Sequence, residues 1–460
     1  MKVRSFPSAA TILFWIIVAV LLASWLVPSI TYETAFDEAT NCEVIDISSV
    51  RIGPPNRIYP RQIPDILAEG AQKVFSTLLI ICTCNGALAV LNKSGVFTTL
   101  IRRLCTLFCG KEIRLIALVY LSFSVLGLVV MPHCFIAFVP IVVTLSLQMG
   151  YDAVVGLAMI LLGATTASMT GPLSAVTAIC QESVGLPLYS GVGVRLWLFI
   201  LFDIVNVLFL CRYAMHIRKE PSLAYRPTNQ PCRTGDVSID GEMRISLNQK
   251  LVLAELVATL ILIAAGSSLW KFSTARISGL FVLYGVAAGF PLGYNFDKIF
   301  RSFCTGIQET ASTCAVLVLV GATVITLEKS GIMDSVQYLS YFIFSALPGA
   351  LLPTGILILI CILNALIPSG PAKGVLLMPL LGPAAQMSGM TLQTTVLAYN
   401  MGDSFSNYFL PYDATTASYL EASEVPFSVW VKFFAKLFPL WMLIGVGSLT
   451  ILYYVGYGPF

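Results

Sequence analysis

Long uninterrupted apolar runs decide what solvent this chain folds in. Ser8 to Ile30, Val192 to Cys211 and Leu251 to Leu269 are each long enough to cross a hydrocarbon core of roughly 30 Å at about 1.5 Å per helical residue. Over the 460 residues, 57% are hydrophobic and 11% charged, against about 25% charged in a soluble domain. A water-soluble fold is excluded, and the expected fold class is an all-α polytopic membrane protein. The first run follows Lys2 and Arg4, as a signal peptide would. It is too long for one and ends in Trp25, Leu26, Val27 and Pro28 with no small-residue cleavage site, so it reads as a retained helix.

Cysteine and charge add little. Most of the 12 cysteines lie in apolar segments, as do Cys82, Cys84, Cys134, Cys180 and Cys361, and read as small core residues with no metal spacing. A net charge of +3 points to no nucleic-acid partner. Two polar stretches interrupt the pattern, at 31–64 and at 217–249, and the second divides the chain near its middle.

The halves on either side of that connector match each other. Leu91, Lys93, Ser94 and Gly95 meet Leu327, Lys329, Ser330 and Gly331 at an offset of 236. At an offset of 239, Pro132 meets Pro371, Pro140 meets Pro379, Gly150 meets Gly389, Gly163 meets Gly402, Pro172 meets Pro411 and Pro187 meets Pro426. Gly and Pro set backbone geometry, so their coincidence predicts repeated structure rather than shared greasiness. The expected division is a transmembrane helix at 1–30, an extracytoplasmic loop at 31–65, a first repeat at 66–216, a cytoplasmic connector at 217–249, linking helices at 250–304 and a second repeat at 305–460. Segments 113–149 and 336–387 each read as a helix, a Pro-rich break and a helix returning to the same side. An odd number of crossings then separates equivalent points, and the repeats are inverted. With the N-terminus cytoplasmic, Lys93, Arg102, Arg103, Lys111, Arg114 and the basic residues from Arg212 to Lys250 fall inside, as the positive-inside rule asks.

Backbone that leaves the helix at membrane depth must be shielded by protein or line an aqueous cavity. Four such breaks are expected. Two are hairpin tips, at 131–134 (with His133) and 367–374, and two are interrupted spans, at 163–174 and 402–413. At the second tip, Ser369, Gly370 and the N–H groups that follow are placed to receive an anion at a helix N-terminus. In the interrupted spans, Ser, Thr or Asn precede a Pro that removes a backbone donor, leaving oxygens free for a cation or solute. Asp403 and Asp413 are costly at that depth and are candidates by default. Their plainer reading is a structural pair with Lys373; for the hydroxyls it is interhelical hydrogen bonding.

At these segments the sequence resembles the YfcC/DcuC-type C4-dicarboxylate carrier family of the ion transporter superfamily. The run from Pro368 to Pro379 is similar to the family's S-G-x-x-(K/Q) tip and M-P-L-L arm, and Val396 to Ser406 with Pro411 to its V-L-A-F-x-x-G-D-G-F-(S/T) segment and proline. Gly150 to Asp152 and Gly185 to Arg195 also fit. The resemblance implies a scaffold part and a mobile transport part, hairpins entering from opposite faces, a homodimer and elevator-type alternating access. It carries Ser369, Gly370, Lys373, Gly402, Asp403, Ser406, Ser168 and Pro172 over as site residues. Departures fall at the first tip, where Pro132-His133-Cys134 stands for G-E-E, at Gly171 for Asn, and at Asp413 for a small hydroxyl residue.

The reading is a secondary transporter, not an enzyme, in the plasma membrane. Its solute is a small carboxylate-bearing molecule: a C4-dicarboxylate, a short-chain carboxylate or an amino acid. Ser168, Thr170, Gly171, Pro172, Ser369, Gly370, Lys373, Ser404, Ser406 and Asn407 are expected to face the solute. Asp403, Asp413, His133 and Thr166 are expected to couple a cation, Na⁺ near Asp403 and Ser406 or else H⁺, with no other cofactor. An anion channel of the same architecture is the alternative. A membrane-embedded enzyme is more distant, since His133 and His216 are the only histidines and no nucleophile–base pair has a convincing spacing.

Overall fold

The computed structural model describes residues 9–31, 34–37, 42–45, 51–128, 130–220, 222, 224–225, 246–270, 272–332, 351–365, 370–387 and 389–458. Most of the 217–249 connector, the arm from 336 to 350 and tip residues 367–369, including Ser369, therefore lie outside the described residues.

The described chain is almost wholly helical. Its first half holds α1 (Ala9–Ala23), α2 (Ile63–Lys73), α3 (Phe75–Asn92), α4 (Val96–Leu107), α5 (Glu112–Gly127), α6 (Val139–Gln148), α7 (Ala153–Thr170), α8 (Ala175–Ser183) and α9 (Val192–Lys219). The second half holds α10 (Leu247–Leu269), α11 (Thr274–Gly289), α12 (Phe296–Glu309), α13 (Ala311–Lys329), α14 (Leu352–Asn364), α15 (Gly370–Met387), α16 (Leu392–Asn407), α17 (Ala414–Ser423) and α18 (Phe427–Val455). Among the described residues, five helical segments are long and apolar enough to cross a membrane: Phe75–Asn92, Ala153–Ser183, Val192–Lys219, Ala311–Lys329 and Phe427–Val455. The stretch read from sequence as a loop at 31–65 takes part in two small antiparallel ladders, which pair Thr31 with Arg51 and Thr34 with Ile45.

Elements at the two sequence offsets have the same boundaries. Helices α2 and α3 meet at Val74 (φ −98°, ψ 5°), and α12 and α13 meet 236 residues later at Thr310 (φ −94°, ψ 1°). The second repeat, expected from 305, therefore opens with two helices that meet at Thr310. The Thr310 hydroxyl donates to Ile307 O at 2.7 Å, a local bond that competes with the helical pattern. Left-handed turns recur at Gly95 and Gly331, at Gly150 and Gly389, and at Gly185 and Glu424. The contacts reciprocate as well. Gly70 lies against the backbone of Gly321, and Gly306 against that of Asn85, which are the same pair of positions with the halves exchanged.

Helix α7 forms the centre, with almost every residue from Ala153 to Thr170 buried. Asp152 starts it by accepting from Val155 N at 2.9 Å. Gly156 and Gly163 let neighbouring backbones close in, since a Cβ on them would stand 2.6 Å from Val143 Cα and 2.8 Å from Tyr120 O. The second break, between α16 and α17, packs against this helix, and the Tyr408 and Thr165 hydroxyls bond to each other there.

Candidate functional site: a cavity between two broken helices

The first break is made by Gly171. Helix α7 ends at Thr170, Gly171 turns left-handed (φ 59°) with its N–H on Ala167 O at 2.9 Å, and Ser174 restarts the chain as α8 by accepting from Val176 N. A Cβ at Gly171 would collide with the Thr177 hydroxyl and come within 2.6 Å of Asn400 Nδ2, so only glycine fits. The second break follows Asn407. Pro411 has no N–H to give, and Asp413 caps α17 by accepting from Thr416 N at 2.8 Å.

Lys373, on α15, is fully enclosed. Its ammonium lies 2.8 Å from Asp403 Oδ1 and donates to Asn364 Oδ1 at 2.5 Å. Asn364 then donates to Asp403 O (2.8 Å), Ser406 Oγ (2.9 Å) and Asn407 Oδ1 (2.5 Å), which ties α14 to the end of α16. A Cβ at Gly370 would stand 2.7 Å from Asp403 Oδ2, and Tyr399 donates to Gly370 O at 2.6 Å. The start of α15 therefore rests directly on the acid.

A cavity of about 660 Å³ opens between the breaks, a size typical of small-molecule sites. Of the residues expected from sequence, His133, Ser168, Gly370, Asp403, Ser404, Asn407 and Asp413 line it. The structure adds Ser174, Thr415, Tyr189, Tyr412 and Lys73. The first tip is held over α17, with Tyr419 donating to Pro132 O at 2.7 Å and Thr415 Oγ1 3.4 Å from His133 Nδ1.

Other expected residues are not in the lining. Lys373 sits behind Asp403, while the Ser406 hydroxyl donates to Gly402 O at 2.9 Å and accepts from Asn364. Thr170, Gly171 and Pro172 shape the first break from behind. Thr166 belongs to a separate buried network around Asp203 of α9. Tyr120 and Ser124 donate to the Asp203 carboxylate at 2.7–2.8 Å. Asn206 donates to Tyr120 (3.1 Å) and Thr166 (3.0 Å), and Trp441 donates to Asn206 at 2.7 Å. Sequence reading missed Asn364 and Asp203. Asn364 was visible as an amide ending an apolar helix, and Asp203 as a carboxylate near Asn206 in another.

The lining's charge is one-sided. Lys373 is spent on Asp403, and Lys73 at the cavity wall pairs with Glu328. Among the described residues no basic side chain forms an ion pair with Asp413, and no cluster of three His, Cys, Asp or Glu side chains could hold a metal ion.

The model of the C4-dicarboxylate anaerobic carrier family matches residues 6–454. The chain belongs to that family. This carrier is 24% identical to an uncharacterized protein of Haemophilus influenzae, over 96% of each chain. It is 25% identical to the putative basic amino acid antiporter YfcC of Escherichia coli, over 94% of each. Among solved structures, the YdaH transporter of Alcanivorax borkumensis aligns over 98% of this chain and 100% of its own, at 15% identity and a TM-score of 0.47.

Proposed function

We propose that this carrier moves a small solute bearing both a carboxylate and a cationic group, an amino acid, by secondary active transport through the cavity between its two broken helices. One observation carries the reading: the cavity presents Asp413 without a basic partner, while Lys373, the lysine expected to receive a carboxylate, is enclosed and held by Asp403. A solute with anionic groups alone would meet uncompensated negative charge there. An ammonium or guanidinium would be drawn to Asp413, with the solute's carboxylate at the N-terminal turn of α15, where Gly370 and Pro371 line the cavity and the helix dipole is positive. The E. coli relative's description as a putative basic amino acid antiporter agrees with this choice.

Two inverted repeats, 66–216 and 305–460, with re-entrant tips and elevator-type alternating access in a homodimer, complete the proposal. The equal breaks at Val74 and Thr310 and the reciprocal glycine contacts support the repeats. Coupling runs either through exchange of one solute for another or through Na⁺ or H⁺ at Asp413. The ammonium of Lys373 already holds Asp403, and Ser406 is turned to Gly402. The membrane is the plasma membrane, with the N-terminus cytoplasmic.

The test is the apparent melting temperature of the purified carrier against arginine, lysine, a neutral amino acid, succinate and acetate, in Na⁺ and in choline. Anything that binds only the folded state raises it by mass action. A saturable rise with an amino acid and none with succinate is expected. A rise with succinate alone would return the site to dicarboxylates, and large ion currents in liposomes with no solute effect would make the protein a channel.

A further inference from the structure

The segment from Pro54 to Gln62, between the strand that ends at Gly53 and α2, is fastened to the end of α1. Trp25 Nε1 donates to Ile58 O at 3.0 Å and Ile58 N donates to Ser24 Oγ at 3.2 Å. The buried Ile58 side chain joins Ile66, Ala322 and Ile325. Tyr59 N donates to Gln62 Oε1 at 2.8 Å, which closes the turn before α2. Between this segment and the end of α13 lies a hollow of about 740 Å³, whose lining includes Asn56, Arg57, Tyr59, Gln62 and Lys329. It shares no lining residue with the solute cavity.

The hollow is basic, with an aromatic rim. The Arg57 guanidinium lies 5.5 Å from the centre of the Trp25 ring and the Arg61 guanidinium 5.4 Å from that of Tyr59, while the two rings meet edge to face at 5.4 Å. A guanidinium resting on a ring keeps its N–H edge for an anion. Among the described residues no carboxylate forms an ion pair with Arg57, and Lys329 shares its charge with Glu69 at 2.6 Å. Neither acid of α2, Asp65 or Glu69, lines the hollow. Beside it α1 turns an apolar face outward. Trp15, Ala19 and Leu22 are exposed at helical spacing, and Leu26, just past the helix end, is 81% exposed. The opposite face, with Leu13, Ile17 and Leu21, packs against α13.

We propose that the hollow holds the headgroup of an anionic phospholipid, with its phosphate on Arg57 and Lys329 and its acyl chains along the Trp15–Leu22 face of α1. Trp and Tyr rings beside basic residues mark the depth at which headgroups meet water. Arg57 can give a phosphate two parallel N–H bonds, and Lys329 adds a point charge. The volume admits a phosphodiester headgroup. A soluble phosphate would meet only the two cations, whereas a lipid also buries its methylenes on α1. The inference requires nothing of Asp413 or of the transported solute.

The purified carrier, in a neutral detergent, is melted with increasing amounts of phosphatidylglycerol, of phosphatidylcholine with the same chains, and of soluble glycerol phosphate. A saturable rise of about 3 °C is expected with phosphatidylglycerol, a clearly smaller one with phosphatidylcholine and none with glycerol phosphate. Arg57→Gln should raise the mole fraction of phosphatidylglycerol needed for half the effect about tenfold. Arg301→Gln, which removes an exposed cation of α12 outside the hollow, should leave it unchanged. Native mass spectrometry should count one more retained phosphatidylglycerol on the wild type than on Arg57→Gln, an exposed position whose substitution leaves the packing intact. Equal rises with the two lipids, an Arg57→Gln titration like the wild type's, or an equal loss in Arg301→Gln would overturn the site. A rise with glycerol phosphate as large as that with the lipid would overturn the lipid and make the hollow a site for soluble anions.

Discussion

At the first break α7 stops at Thr170, Gly171 turns the chain left-handed and Ser174 restarts it; 239 residues later α16 stops at Asn407 and Asp413 restarts α17. The restarting residues are equivalent and do the same job, each accepting a backbone N–H from the next turn. What differs is charge. The first break carries hydroxyls and a glycine, with its cation, Arg195, placed behind it. The second carries two carboxylates, with its cation, Lys373, tied to one of them. One backbone plan thus serves two chemistries, because a helix break needs only a turn and a cap, and several residues cap equally well.

The largest effect expected from this contrast belongs to the ion pair that only the second break has. Asp403→Asn leaves the Lys373 ammonium enclosed without its carboxylate and should destabilise the carrier by about 3–5 kcal/mol. Adding Lys373→Met should restore most of it, since removing both charges leaves nothing unpaired. Denaturant unfolding in detergent reads both variants, and a harmless single substitution would show that the pair is not structural.

Next in size is the left-handed turn that only the first break has. Gly171→Ala should cost about 2 kcal/mol from the unfavourable φ alone, with the collision at Thr177 adding to it. Between Tyr408 and Tyr412 no residue takes a positive φ, so the second break has no equivalent weak point. A Gly171→Ala carrier that unfolds like the wild type would mean the first break can re-form in another shape.

The smallest stability effect, and the sharpest functional one, comes from exchanging the caps. Asp413→Ser and Ser174→Asp should each change stability by less than about 1 kcal/mol, because both residue types cap helices. Asp413→Ser should nonetheless abolish stabilisation by the amino acid. If the solute still stabilises the Asp413→Ser carrier, the cationic group is held elsewhere.

Much of this was legible in the sequence. Gly150, Gly389, Pro172 and Pro411 marked their turns and breaks because Gly and Pro act through their own backbone, with no help from neighbours. Asp403, Asp413 and His133 could be placed near a cavity because polar groups at membrane depth have few other places to go. Thr166 lies apart from the cavity for a related reason. A threonine in an apolar helix announces that it has a partner but not which one, and its partners are Tyr120 and Asn206 on other helices.

The sequence by itself determined the solvent, the helical class, the breaks of the two interrupted helices and the short list of costly charges, all of which follow from composition and local backbone chemistry. The tertiary structure alone decided which charge meets which. Lys373 could hold a solute or pair with either acid until α14, α15 and α16 bring Asn364 and Asp403 onto it. Nothing in the sequence tells that Arg195 caps α7, which the structure shows through its bond to Thr170 O. Charge pairing depends on distances of a few ångströms between segments far apart in sequence, and packing fixes those distances.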